Sequence, residues 1–270
     1  MKASTFFIET IFQRRRRPAH WTDGEDLPPA FLASGAGMRV GTRVPAVPIF
    51  LRPTAPIAPD AILVGDPGRA LLLAQELLEQ PKMSNHARGL WGYYGSSAAG
   101  QALTIQSTGI GGPSAALVLA DLAELGVRRA IRVGTCVAVD KALSLGDLLL
   151  VGEAIAVGGS ASAFGAAPDE RLSPEDELTE RLRSELGGDV DGGAIASVDS
   201  HPGESVAPVE ARALDMQTAP LLAQARSLEV AVATTLIVTE LPRRSTSLEK
   251  DALEDRERLA GRAAAAVLSA

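Results

Sequence analysis

The stretch Ala61-Ile62-Leu63-Val64-Gly65-Asp66-Pro67-Gly68-Arg69-Ala70 reads as a strand, a turn and the start of a helix. Four apolar residues run into a turn of two glycines and a proline, and a helical pattern follows over Ala70 to Glu79. The same succession recurs downstream. Ala102 to Gln106 runs into Thr108-Gly109, and Ala130 to Val133 into Gly134-Thr135. Asp147 to Val151 runs into Gly152, and Val230 to Val238 into Thr239-Glu240. Helical patterns over Pro113 to Leu125 and Leu214 to Ser227 lie between them, and the run Ala263 to Ala266 falls in an expected last helix. Short apolar strands alternating with amphipathic helices predict an α/β fold around a largely buried sheet. In such folds ligands collect beyond the carboxyl ends of the strands, so the residues just after each strand carry the information.

The rest of the chain sets the bounds. It has 270 residues and a net charge of -7, is 46% hydrophobic and 4% aromatic, and contains one cysteine. Cys136 has no partner for a disulfide, and no apolar run approaches the roughly 20 residues of a membrane span. The run Phe6 to Ile8 is too short for a secretory signal, and the arginines follow it rather than precede it. A soluble cytoplasmic protein is expected. Nine of the 17 prolines fall before residue 68. Residues 1–45 therefore read as a partly ordered extension rich in proline and arginine, and 46–270 as a single α/β domain. Residues 1–52 carry a net charge of +4 and the remainder -11. An acidic body repels a polynucleotide, so no nucleic acid is expected as partner. Arg14-Arg15-Arg16-Arg17 is either a solvated tail segment or a contact for RNA, anionic lipid or an acidic protein. His20, His86 and His201 have no ligand spacing with one another or with Cys136, so no metal is expected.

Three strand ends carry arginines or glycines suited to an anion. In Gly65-Asp66-Pro67-Gly68-Arg69 the glycines admit backbone N–H groups, the helix start adds a positive dipole end, and Arg69 adds a fork of donors. An ordinary strand-to-helix turn with a surface arginine fits this stretch equally well. Thr108-Gly109-Ile110-Gly111-Gly112-Pro113-Ser114 lacks the third glycine of a dinucleotide fingerprint, and its glycines suit a small ligand lying against the main chain. Arg132 sits inside an apolar strand, where a charge is costly unless paired. Either a carboxylate partner or an anionic ligand answers that cost, and Thr135 beside it adds a donor. Arg88, in Asn85-His86-Ala87-Arg88-Gly89, is a third arginine. Together these predict a site for a phosphate-sized anion.

In this order the motifs resemble the nucleoside phosphorylase family that includes hexameric purine nucleoside phosphorylase and uridine phosphorylase. The resemblance covers about residues 46–270. It is carried by the Gly65 to Ala70 turn, Arg88-Gly89 with Gly92-Tyr93, Thr108 to Ser114 and Ile131 to Cys136. Ser197-Val198-Asp199-Ser200, Leu214-Asp215-Met216-Gln217 and Val238-Thr239-Glu240 complete it. The resemblance implies a central mixed, partly barrel-like sheet flanked by helices. It implies phosphorolysis of a nucleoside with inorganic phosphate as co-substrate and no cofactor, giving free base and pentose 1-phosphate. Phosphate would be held by Gly65, Arg69, Arg132 and Thr135, with Arg88 contributed by a neighbouring subunit of a homo-oligomer. Gly109, His201, Met216 and Gln217 would face sugar and base, and Glu240 would be the catalytic acid.

The chain departs from the family at the nucleoside end. Gln217 stands where the family has a glutamate that accepts from the ribose hydroxyls, which opens the site to a deoxyribose or otherwise altered sugar. If Gln217 faces the diol, Gln217→Glu should improve ribonucleoside turnover. Glu240 after Thr239 replaces an aspartate after serine, and Ile49 to Arg52 lacks the histidine the family offers to a neighbouring sugar site. The uracil-reading segment is absent after Asp199, where His201 either stacks on the base, donates to it or lies on the surface. Arg243, Arg244 and Arg256 are candidates to support the acid, and Trp91, Tyr93 and Tyr94 read as core or interface. The alternatives to a phosphorylase are a phosphate-independent N-ribosyl hydrolase and a catalytically weak ligand-binding homologue.

Overall fold

The computed structural model describes residues 48–187, 190–204, 210–241 and 246–270. These belong to a compact unit spanning Val44–Ala270. The expected extension, with its arginine run and His20, lies outside the described residues, as do Arg243 and Arg244.

Strand β1 (Asp60–Val64) leads into helix α1 (Pro67–Leu77). Asp66 is the N-cap and accepts from the Arg69 backbone N–H at 3.0 Å, while Pro67 supplies the helical φ at the first position. Strands β2 (Glu79–Asn85), β3 (Gly92–Ser96) and β4 (Ala102–Ser107) form an antiparallel wing that joins β1 through β4. Helix α2 (Gly111–Glu124) then leads to β5 (Arg129–Ala138). After these come β6 (Leu148–Ala156), α3 (Gly159–Ala163), β7 (Arg171–Leu172), α4 (Asp176–Glu185) and β8 (Asp191–Ser197). The chain ends with β9 (Ala213–Asp215), α5 (Thr218–Leu228), β10 (Ala231–Glu240) and α6 (Lys250–Ser269).

Strand β5 is the hub. It pairs in parallel with β1 and β10 and antiparallel with β9. Because β10 pairs β6, β6 pairs β8 and β8 pairs β9, the strands β5, β10, β6, β8 and β9 close into a five-stranded mixed barrel. Helices α2, α3 and α5 pack together on one side over a core that includes Leu119, Leu122, Leu221 and Leu236. Helices α1, α4 and α6 cover the other side over Ile62, Leu73, Ile131 and Ala264. This is the mixed, partly barrel-like sheet with flanking helices expected above. Among the described residues no helix is long and apolar enough to cross a membrane.

Three local expectations need correction. Gly134-Thr135 and Gly152 are not turns. β5 and β6 continue through them: Gly134 and Thr135 pair with Leu236 and Ile237 of β10, and Gly152 is the extra residue of a β-bulge between Val151 and Glu153, which pair with β8. β10 likewise includes Thr239 and Glu240. Finally, Leu214 and Asp215 belong to strand β9 and not to a helix, and Gln217 is the non-helical N-cap of α5 (φ -133°, ψ -30°). Hydrogen-bonded pairing to β5 and β8 overrides the helical periodicity there. The segment Ile49 to Leu51 is anchored by Asp121 of α2, whose carboxylate accepts their three backbone N–H groups at 3.0, 2.6 and 2.7 Å.

Candidate functional site

A cavity of about 380 Å³ opens where β1, β4, β5, β9 and β10 end. Gly65 and Arg69 come from the β1–α1 turn, and Gly109 from the turn before α2. Arg132 and Thr135 come from β5, Met216 and Gln217 from the β9–α5 junction, and His201 and Glu240 complete the wall. Each of these sequence-predicted site residues therefore lines one cavity. Arg88 does not. It is exposed, has a left-handed backbone (φ 60°), and its guanidinium lies 5.3 Å from the centre of the Phe50 ring.

The arginine end is built from buried ion pairs. Arg132 Nη2 lies 3.0 Å from Asp215 Oδ2, with side-chain exposures of 6% and 1%. Burial drives the Arg132 guanidinium below its ordinary value, and the Asp215 charge opposes that shift. Asp215 is itself saturated: it accepts from Ser197 Oγ at 2.6 Å, and from Thr218 N at 3.0 Å and Thr218 Oγ1 at 2.6 Å. The carboxylate partner thus comes from strand β9. It leaves Arg132 Nε and Nη1 buried without a hydrogen-bond partner. Gly134 explains how the side chain fits, since a Cβ there would stand 1.4 Å from Arg132 Nη1. Only glycine leaves room for the guanidinium to fold back along its own strand.

Arg69 is held in the same manner. Its Nε lies 2.5 Å from Glu257 Oε1 on α6, and both side chains are largely buried. Burial raises the Glu257 carboxyl above its ordinary value despite the attraction of Arg69. Cys136, next to Thr135, is buried, and burial pushes its thiol up, so it is a packing residue with no thiolate character.

At the opposite wall, Gln217 is buried and bonded at both ends of its amide. Nε2 donates to Gly109 O at 2.7 Å and Gly111 O at 3.3 Å, and Oε1 lies 3.1 Å from Thr108 Oγ1, whose one proton it shares with Val64 O at 3.0 Å. Gly109 and Gly111 both have positive φ, 75° and 80°, and arch the chain so that Ile110 between them is 87% exposed. Farther along, His201 Nε2 is 3.9 Å from Glu240 Oε1, while His201 Nδ1 accepts the Gly203 N–H at 3.1 Å. An accepting Nδ1 places the proton of the neutral ring on Nε2, the atom facing Glu240. Asp199 anchors the N-terminus of α3 through Ser160 N at 3.0 Å and does not line the cavity. Arg256 is an exposed residue of α6 that lies near Gly146 and does not line the cavity.

Sequence reasoning missed Glu257, the role of Asp215 and the exposure of Ile110. The first had a signal. Glu257 shares the buried stripe of α6 with Ala260 and Ala264, and a charge on such a stripe calls for a partner. Asp215 had none, because its pairing with Arg132 depends on strand β9 being a strand.

A family model described as the phosphorylase superfamily matches residues 59–270. The chain belongs to this superfamily. Similar relatives include a DeoD-type purine nucleoside phosphorylase of Oceanobacillus iheyensis, 40% identical over 93 residues, which are 34% of this chain and 39% of that protein. Another, from Alkaliphilus metalliredigens, is 39% identical over 93 residues, 34% of this chain and 40% of its own length. The matched stretch thus spans about two-fifths of each of these relatives. A uridine phosphorylase from Vibrio fischeri ES114 shares the fold with a TM-score of 0.68 at 23% identity, over 78% of this chain and 92% of the other.

Proposed function

We propose that this member of the superfamily cleaves the N-glycosidic bond of a nucleoside by phosphorolysis, yielding free base and a pentose 1-phosphate. The observation that carries the reading is the buried Arg132, two of whose nitrogens lack partners at the wall of the cavity beside Arg69, Thr135 and Gly65. Buried unpaired donors on a fixed cation mark a place for an anion to complete. Inorganic phosphate bound there is held with its oxygen directed at the anomeric carbon. The C–N bond breaks as the phosphate oxygen bonds to carbon, and the electron pair leaves with the base, which takes up a proton. Charge develops on the sugar in the transition state, and a fixed phosphate both supplies the nucleophile and stabilises that charge.

The strand register supports the placement of an acid. Thr135 pairs with Ile237 and Val137 with Glu240, so Glu240 stands two residues farther along β5 than Thr135. At about 3.3 Å per residue this leaves about 7 Å between the anion donors and the carboxyl level, room for a sugar ring. Glu240 is the group positioned to give the departing base its proton, with His201 Nε2–H directed toward it. Arg88, exposed beyond the cavity, fits presentation to the site of a second copy of the chain, in a homo-oligomer with shared active sites.

Release of free base from a panel of purine and pyrimidine nucleosides, with and without inorganic phosphate, tests the reading. Phosphate-dependent release accompanied by pentose 1-phosphate is expected. Release that ignores phosphate would reassign the chain as a hydrolase, and no release from any nucleoside would make it a binding protein.

A further inference from the structure

The pair formed by Arg69 and Glu257 stands between two cavities. Arg69 and Asp66 line the cavity at the strand ends, and they also line a second one, of about 540 Å³, between α1 and α6. Leu71, Leu72 and Gln75 form its α1 side, and Lys250, Leu253 and Glu254 its α6 side. Glu257 borders the second cavity and not the first. Its Oε1 accepts from Arg69 Nε at 2.5 Å, and among the described residues Nη1 and Nη2 of that arginine have no hydrogen-bond partner. Close packing of the two helices brings the carboxylate there. Gly261, one turn farther along α6, permits the approach, since a Cβ at that position would stand 2.6 Å from Leu73 Cδ2 of α1.

The two arginines of the strand-end cavity differ in freedom. Arg132 is enclosed, paired with Asp215 and folded over Gly134. Arg69 has open space on its far side. The two cations repel, and the Arg69 charge helps to lower the Arg132 guanidinium. With no anion between them, repulsion drives the less confined side chain toward the second cavity. The geometry points to Glu257 as a positioning residue that holds Arg69 on the strand-end side of this partition and keeps its two terminal nitrogens for the anion. That the anion is phosphate rests on the phosphorolytic reading of the cavity. Glu257 acts on anion binding in two opposed ways. Its negative charge cancels part of the Arg69 charge, which weakens binding. Its hydrogen bond fixes the guanidinium in advance, which spares the anion the cost of ordering it. The second effect is the larger, because an arginine released into the far cavity gives the anion no donor at all.

Calorimetric titration with inorganic phosphate, together with the KM for phosphate, tests this on variants that separate charge from position. Glu257→Gln keeps an oxygen for Arg69 Nε and removes the charge, so phosphate should bind as tightly as in wild type or more tightly. Glu257→Ala removes both, and phosphate affinity should fall by about tenfold or more. Its kcat at saturating phosphate and its KM for the nucleoside should change by less than about twofold. Glu257→Asp, which folds with the charge retained but falls one methylene short of Nε, should also lose phosphate affinity and serves if the alanine variant is unstable. Tighter phosphate binding in all three would reduce Glu257 to an electrostatic neighbour, and unchanged binding in Glu257→Ala and Glu257→Asp would reduce it to a packing residue; either result overturns the proposal. Crystal structures of the variants grown without phosphate or sulfate give a readout independent of turnover. Arg69 should be turned into the α1–α6 cavity in Glu257→Ala and remain in place in Glu257→Gln. An unmoved Arg69 in Glu257→Ala would overturn the partition. A wild type that neither binds phosphate nor releases base with it would instead sink the phosphorolytic reading, while the position of Arg69 in the crystals still decides the role of Glu257.

Discussion

The two ends of the cavity are held in place by different forces. At the arginine end, Arg132 and Arg69 are each fixed by a buried carboxylate, Asp215 and Glu257, and each carboxylate reaches the site from a distant element. At the opposite end, neutral hydrogen bonds from Gln217 secure a glycine arch, and Glu240 faces a half-exposed histidine 3.9 Å away. Buried charges are costly to orphan and resist rearrangement. A neutral clamp on an arch with positive φ is replaced at lower cost. The contrast implies that the arginine end resists substitution more strongly than the Gln217 end.

Breaking the arginine end should have the largest effect. Arg132→Ala leaves Asp215 buried and unpaired, and the unfolding free energy is expected to drop by about 3–5 kcal/mol. Phosphate dependence of base release should disappear with it. Arg132→Met combined with Asp215→Asn should regain most of the stability in denaturant titrations while remaining unable to use phosphate. Turnover by Arg132→Ala at wild-type phosphate KM would show that the anion binds elsewhere.

At the other end the effect is on chemistry and not on folding. Glu240→Gln keeps the shape but cannot give up a proton as a carboxylic acid does, and kcat should fall by about 100-fold with little change in melting temperature. Unaltered kcat would remove Glu240 from the reaction.

The smallest effect concerns pH. Burial lifts the Glu257 carboxyl above its ordinary value of 4.5, so the folded protein keeps a proton that the unfolded chain has already lost. The associated stabilisation is complete below pH 4.5 and is lost as the pH rises through the folded value. Glu257→Gln, which does not titrate, should flatten that decline by a few degrees in melting temperature. Parallel curves for the two proteins would mean that Arg69 fully compensates the burial.

Much of the arginine end was legible because its signals are local. A glycine turn ending in Arg69 and a charge inside an apolar strand at Arg132 each announce themselves within a few residues. The five barrel strands did not announce themselves equally. β8 carries glycines at 192 and 193, and β9 is three residues embedded in a helical pattern. Both are strands because neighbours pair with them, which no local window records. The hydrogen-bond partners of Gln217 were illegible for the same reason, since they lie more than 100 positions away, at Thr108, Gly109 and Gly111.

Composition and periodicity were enough to predict an α/β fold, and the order of the glycine and arginine motifs was enough to point to the family. Only the tertiary structure decided which charges are paired, because Asp215 and Glu257 meet their arginines between neighbouring barrel strands and across a helix pair. It also decided what Gln217 does. Hydrogen-bonding capacity belongs to the residue type, but whether that capacity is free for a ligand depends on which groups the fold brings within about 3 Å of it.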